Sequence, residues 1–404
     1  MTLNPKVLFT LLSATVFCSA NAAEVTVYGL LDQGVQYLHK NYDFDQHNGH
    51  LSKSTDNLAM TGSLFSGSRL GLRGQEQLSD NLKIGFVLEN GLNVDDGSFS
   101  MGDGKIFGRE AAVYLEGDYG RVAFGRFCSI GGIYGSYAIF HPIADNFWGG
   151  WSTYSGTVTR HSQNYSRMDN AVTYVSPQVG PMKFYAQYSF NLNGQEDEEL
   201  SRNNRYGALG ATFKSGNLQL VGVADFIRHD DTPIDGQPSQ LDDGFGVKFG
   251  GNYAFDSVKL FAMGQWLNHS VDFMGVNSFF LSGVLGQSPT AISKKIDQAG
   301  GFNGYTFAIG TDSPLWNGTF KTQLQYADAE SDAGFTSDAY GADTKLDLNA
   351  YVATMGYLYP LSKRTMVYSL LGYSQAKYKT SGDAARGEMK EKVVTALATL
   401  VHTF

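Results

Sequence analysis

MKFYAQYSF, residues 182–190, is the stretch from which the fold is read. Met182, Phe184, Ala186, Tyr188 and Phe190 fall on one side of an extended chain, and Lys183, Tyr185, Gln187 and Ser189 on the other. A period of two is a strand with one apolar face and one mostly polar face. Phe245, Val247, Phe249, Gly251, Tyr253 and Phe255 repeat the pattern, and near the start Val25, Val27, Gly29 and Leu31 alternate with Thr26, Tyr28, Leu30 and Asp32. Sixteen such segments begin near Val25, Ser68, Leu82, Lys105, Arg121, Met168, Met182, Tyr206, Leu218, Phe245, Val258, Tyr305, Phe320, Leu348, Met366 and Lys392.

The connections between them alternate in length. Short ones carry turn residues, as at 79–81, 117–120, 177–181, 215–217, 255–257, 314–318 and 360–364. Long ones are polar or acidic, at 40–65, 94–104, 191–204, 228–242, 270–302, 331–347 and 380–391. Short turns at one end, long loops at the other and an even strand number are the pattern of an antiparallel transmembrane β-barrel. A soluble β-sandwich also alternates, but has no reason to sort loop lengths so strictly. Below-zero mean hydropathy fits a barrel, because lumen-facing and lipid-facing residues average out. Tyr37, Phe190, Phe255, Trp266, Tyr326, Tyr357, Tyr359 and Phe404 lie near strand ends, where amphipathic rings form girdles at headgroup depth.

Residues 1–22 read as a secretory signal peptide: Lys6, an apolar run from Val7 to Cys18, then small residues with cleavage after Ala22 or Ala23. The rest, 23–404, is expected to be one barrel domain. Its only cysteine is Cys128, so no disulfide is expected within it. Removing Lys6 leaves 29 basic against 39 acidic side chains, a net charge of −10, which argues against a nucleic-acid partner.

One long connection resists the pattern. Residues 126–167, RFCSIGGIYGSYAIFHPIADNFWGGWSTYSGTVTRHSQNYSR, do not alternate. An irregular segment of that length inside a regular β-protein is usually functional. It is read as the third external loop folded into the bore, a constriction over about 127–166. Strand parity places charges around it. Arg69 and Arg73 share a face with Gly71 and Gln75, opposite Leu70 and Leu72. Arginine at the bilayer midplane costs about 2–4 kcal/mol, so the leucines face lipid and the arginines the lumen. Arg126 shares parity with Val122 and Phe124, on the outward face. It is therefore expected at a subunit interface, paired with a neighbour's loop acid such as Asp95, Asp96 or Asp103; snorkelling to the headgroups is the rival reading.

Val25-Thr-Val-Tyr-Gly-Leu-Leu-Asp32, Ser66-Gly-Ser-Arg-Leu-Gly-Leu-Arg-Gly74, Phe107-Gly-Arg109, Val122-Ala-Phe-Gly-Arg126 and the ending Val401-His-Thr-Phe404 resemble the successive signatures of the general porins of Gram-negative outer membranes, in their β-proteobacterial branch. The family usually carries Arg where Val401 stands. The resemblance implies an all-β, 16-stranded homotrimeric barrel whose third external loop folds inward. It places Arg69, Arg109 and Arg167 on a basic wall of the constriction and Asp145 opposite, with His141 and Tyr154 as further candidates to line the opening. It implies outer-membrane lipid and lipopolysaccharide as surroundings, and recognition of Phe404 by the barrel-assembly machinery. Asp145 is the only acid between Arg126 and Arg167, and opposed charges across a gap create a field that sets ion preference.

The expected function is a passive channel for ions and small hydrophilic solutes, weakly favouring anions. The alternative is a substrate-specific channel, for example for organic anions, on the same barrel. A barrel enzyme is disfavoured because no nucleophile and base stand out, and no cofactor is called for. Asp43, Asp45, His47 and His50 crowd the first long loop, but an exposed acidic loop explains them better than a metal site.

Overall fold

A strand in lipid must have both edges paired, and a sheet achieves this only by closing on itself. The computed structural model describes residues 24–46, 49–101, 104–147, 167–192, 194–230, 242–270, 301–337, 341–382 and 386–404; the expected signal peptide lies outside these. The first half contains β1 (Glu24–Gln46), β2 (Gly49–Gly62), β3 (Arg69–Ser79), β4 (Leu82–Gly91), β5 (Glu110–Gly117), β6 (Gly120–Phe127), the short helix α1 (Phe140–Ala144), β7 (Met168–Val175) and β8 (Met182–Ser189). The second half contains β9 (Arg205–Ser215), β10 (Leu218–Arg228), β11 (Gly244–Ala254), β12 (Lys259–Ser270), β13 (Phe302–Leu315) and β14 (Gly318–Ser331). After these come β15 (Phe335–Ser337), β16 (Gly341–Pro360), β17 (Thr365–Ser381) and β18 (Arg386–Thr403).

Every pairing is antiparallel. β1 pairs with β3 through Glu24 to Leu30 and with β2 from Gln33 upward, so β2 and β3 continue one line broken at 63–68. β14 pairs directly with β16, leaving β15 as a lip on β16. β18 returns to β1, from Leu30↔Thr403 to Asp45↔Glu388. Among the described residues the result is a closed ring of sixteen antiparallel strands.

Asp32 holds the seam. Its carboxylate accepts the backbone N–H of Phe65 and Ser66 and the Thr399 hydroxyl, and its own N–H donates to Ser68 Oγ. One buried carboxylate thus ties β1, the break and β18 together. At the chain end, Phe404 and Gly29 exchange two backbone hydrogen bonds of 3.1 Å. The Phe404 ring occupies the space a side chain at Gly29 would need.

The polarity of the wall is inverted relative to a water-soluble protein. In β8, Phe184 is 43% exposed while Gln187 and Ser189 are buried. In β11, Phe245, Val247 and Phe249 are exposed while Lys248 is buried. Exposed rings and aliphatics recur at Leu209, Phe226, Phe307, Ile309, Leu324 and Met355, the outer band of a barrel standing in lipid. Of the expected girdle residues, all but the partly buried Tyr357 are exposed.

The wall is not equally tall. β5 to β8 have 8 residues each, whereas β1 has 23, β16 has 20 and β18 has 18. At about 3.3 Å per residue and a tilt of about 35–45°, eight residues rise about 20 Å, slightly less than an apolar band of about 25 Å, whereas the long strands project well past it. This corrects the expected loops at 40–65, 331–347 and 380–391, which are largely strand. Above the lipid both faces meet water, so sequence alternation fades while backbone pairing continues. The fourth expected strand begins at Glu110 rather than Lys105, because the Asn90 side chain donates to the Ile106 carbonyl and holds that stretch as a turn.

Candidate functional site

On the side of the bore formed by β3 to β5, basic and acidic side chains meet at close range. Arg69, opening β3, donates through Nη1 to Ser66 Oγ and to the Gly67 carbonyl, and its Nε lies 3.4 Å from Glu89 Oε2. Arg109, just before β5, donates through Nε to the other Glu89 oxygen at 2.7 Å. Tyr28 on β1 donates its hydroxyl to Glu89 as well. Arg167, at the threshold of β7, is 8% exposed and interacts electrostatically with Arg109, Glu89, Glu110 and Cys128. Arg69, Arg109 and Arg167 thus lie near one another around Glu89. Glu89 and Glu110 were not anticipated. The signal was available: Glu89 has the parity opposite to Phe86 and Leu88, and a charged side chain facing lipid is costly, though less so for an acid than for an arginine.

Arg73 differs from its neighbours. It is exposed, its guanidinium stands 5.2 Å from the centre of the Tyr28 ring, and it has no carboxylate partner among the described residues. It lines a cavity of about 400 Å³ with Glu24, Gln75, Tyr114, Arg121 and Ser136. Arg121 in that cavity is already paired with Glu116, which also holds Lys83.

The described part of the irregular stretch, 128–147, bonds to a different set of strands, from β8 to β18. It leaves β6 and is fastened to strand after strand around the ring. Gln187 of β8 accepts from the Ile130 N–H and donates to the Cys128 carbonyl. Asn252 of β11 donates to the Ile143 carbonyl. Asn146 donates to the carbonyls of Thr311 on β13 and Thr322 on β14, and Lys321 returns a bond to the Asn146 carbonyl. Phe147 reaches Tyr368 and Leu370 on β17 and Leu397 on β18, within one apolar cluster. The side chains among these partners, Gln187, Asn252, Lys321, Tyr368, Leu370 and Leu397, have the parity opposite to the exposed apolar band, whereas Thr311 and Thr322 contribute only backbone carbonyls. Ile130, Ile139, Phe140 and Ala144 pack on Tyr206, Val221, Val223 and Met263. Beneath them lies a fully buried ion pair, Lys248 Nζ to Asp225 Oδ2 at 2.6 Å, with the Tyr206 hydroxyl on the same oxygen. Gly131 passes so close that a Cβ there would sit 2.7 Å from Lys248 Nζ, which is why glycine stands at that point.

Two expectations need correcting within this segment. Asp145 is wholly buried rather than presented to the arginines. It accepts from the Phe147 N–H at 2.8 Å and from Gln323 at 3.1 Å, and faces His141 Nδ1 at 3.3 Å. The cause is α1, whose turn stacks positions four apart and so pairs His141 with Asp145 away from the opening. His141 is accordingly buried and does not line the gap. Tyr154 and residues 148–166 lie outside the described residues.

Arg126 also has a different partner from the one expected. Its Nη1 lies 2.6 Å from Asp169 Oδ1 in the same chain, and its Nε donates to the Gly108 carbonyl. A register shift between Gly125 and Phe127, opposite Asn170 with a left-handed φ of 50°, brings Asp169 there. Lys105 binds the other Asp169 oxygen at 3.1 Å. The charge of Arg126 thus needs no neighbour's acid. In the first hairpin Asp43 accepts from Ser52 and Asp45 pairs with His50; His47 lies outside the described residues.

Comparison with known proteins agrees with this architecture. The family model described as Gram-negative porin matches residues 10–380. The chain is 29% identical over 392 residues to an outer membrane porin protein of Bordetella pertussis, covering 91% of this chain and 94% of that one. It is 27% identical over 387 residues to outer membrane porin protein 32 of Delftia acidovorans, covering 93% and 92%. Among solved structures, an anion-selective porin from Comamonas acidovorans superposes with a TM-score of 0.58 at 21% identity, covering 95% of this chain and all of that one.

Proposed function

The chain belongs to the Gram-negative porin family, and from that premise we propose that its selectivity is set where 128–147 faces the arginines of β3 to β5. The protein is an outer-membrane porin, a water-filled channel through which ions and small hydrophilic solutes diffuse passively. Family and fold are those of channels, and the chain is assigned no catalytic step.

In this reading 128–147 is an inward-folded third loop that fills one side of the bore and leaves the arginine side as the path. The observation that carries it is the ladder of hydrogen bonds from that segment to the side chains of Gln187, Asn252, Asp312, Lys321 and Gln323, whose parity is opposite to that of the exposed apolar residues. Charge at the path is then unequal in kind. Arg69 and Arg109 share the single carboxylate of Glu89, whereas Arg73 is exposed, faces the Tyr28 ring and has no ion-pair partner among the described residues. Arg73 therefore carries most of a preference for anions, the selectivity named for the Comamonas protein. Asp145 and His141 act by pinning the loop rather than by facing the path.

The remaining parts follow the family pattern. Residues 1–22 are removed on export, three copies assemble in the lipid and lipopolysaccharide of the outer membrane, and Phe404, closing on Gly29, is what the assembly machinery reads. Arg126 contributes to the trimer indirectly, by fixing the rim through Asp169.

Reversal potentials across a planar bilayer under a KCl gradient test the reading. A unit charge about 4 Å away is worth about 1 kcal/mol in water, favouring chloride and opposing potassium, so Arg73→Ala should lower the chloride-to-potassium permeability ratio between about fivefold and thirtyfold. An unchanged ratio would remove Arg73 from the path. Conductance linear in salt fits a general pore; saturation by an organic anion would point instead to a substrate-specific channel.

A further inference from the structure

Asp242, His269 and Asp332 lie on three different strand ends, and the barrel register draws them together. Ile227 pairs with Gly244, Phe245 with Asn268, Ser270 with Phe302, and Phe302 with Ser331. The residues just before β11, at the end of β12 and just after β14 therefore meet on the loop-side rim. His269 Nε2 lies 3.3 Å from Asp332 Oδ1 and 4.0 Å from Asp242 Oδ2, and one oxygen or nitrogen from each of the three lies within 4.8 Å of the others.

The imidazole is held in one orientation. Its Nδ1 lies 3.2 Å from the Asp243 carbonyl, which can only accept, so Nδ1 carries the proton. In the neutral ring the Nε2 lone pair then points at two carboxylates, an arrangement that attracts a cation; a backbone bond at the far nitrogen is the usual way a ligating histidine is oriented. The support extends further out. Asn303 accepts from the His269 N–H and from Asn268, and donates to Asp332 Oδ1 at 2.7 Å. His269 itself adopts a left-handed φ of 48° within a register shift of β12. Such strain in a non-glycine residue persists only where its surroundings enforce it. The neighbouring imidazole does not compete with a cation: burial holds His229 below its ordinary value, against the pull of Asp243 and Asp230, and so keeps it neutral.

We propose that Asp242, His269 and Asp332 form a binding site for a divalent first-row transition cation, of which Zn²⁺ is the probe, clasping the rim ends of β11, β12 and β14. An imidazole with two carboxylates suits Zn²⁺ and its neighbours rather than Ca²⁺ or Mg²⁺, which prefer all-oxygen shells. Zinc stands about 2.0–2.2 Å from such ligands, so the three side chains close by roughly an ångström on binding. Their exposure leaves the remaining position to water. The reading goes beyond passive conduction and does not depend on it.

The test is calorimetric titration of ZnCl₂ into the tag-free, chelator-treated full barrel in detergent at pH 7. His269→Asn is the main variant, because asparagine tolerates the left-handed backbone and removes the imidazole. Wild type should bind one Zn²⁺ per chain. His269→Asn should lose that binding, Asp332→Asn should weaken it at least about tenfold, and His50→Ala, which removes an unrelated exposed imidazole, should leave it unchanged. No stoichiometric zinc in wild type, equal zinc in His269→Asn, or equal binding of CaCl₂ would each overturn the proposal. Unchanged heat-induced unfolding without metal shows that a variant is still folded; should His269→Asn fail this, Asp242→Asn with Asp332→Asn serves in its place, with the same outcomes.

Discussion

The two sides of the bore are built from the same kind of strand but do opposite things with their polar residues. Around β8 to β14, inward amides and two lysine–aspartate pairs are spent on holding a loop: Gln187, Asn252, Gln323, Lys321 with Asp312, and Lys248 with Asp225 all bond to it or lie beneath it. Around β3 to β5, inward arginines and glutamates are tied mainly to one another, and Arg73 is left facing open space. The difference teaches that an inward charge in this barrel is not by itself a selectivity element. What matters is whether a partner has already neutralised it.

Breaking the loop-bearing side should have the largest effect. Lys248→Met leaves Asp225 buried without its cation, a loss of about 3–5 kcal/mol, seen as a lower thermal midpoint by circular dichroism in detergent. An unchanged midpoint would mean that the pair is no anchor. The lipid face offers the next step down. Phe249→Arg places a charge where an exposed ring now stands and should cost about 2–4 kcal/mol near the midplane, read from folding titrations into lipid vesicles. The smallest effect sharpens the contrast within the arginine side. Because Glu89 already offsets it, Arg69→Ala should change the chloride-to-potassium ratio by less than about twofold, well below the change at Arg73. If Arg69 moved the ratio more than Arg73, the order of the two would be reversed.

A second contrast concerns height, and it shows where the sequence was legible. In β8 and β11 lipid lies on one side and polar lumen or loop on the other, so Phe184, Gln187, Phe249 and Lys248 announce their faces. In the upper part of β1 and in β2, residues 52–58 are all exposed, and nothing forces them to alternate. They read as a loop although their backbones are paired from Gln33 to Gln46. The same reasoning explains the site. Arg69 and Arg73 were found because a lipid-facing arginine is expensive. Asp145 was assigned to the gap because it is the only acid in its stretch, yet a five-residue helix turned it toward His141.

Sequence alone determined the strands where they cross lipid, their number, and their lumen and lipid faces, since each follows from a period of two and the cost of charge in hydrocarbon. Only the tertiary structure decided which charges are already paired. Glu89 with Arg69 and Arg109, Asp169 with Arg126, and Asp242 with His269 and Asp332 are separated by tens of residues along the chain. They meet because the ring closes in one register, and no local pattern encodes that meeting.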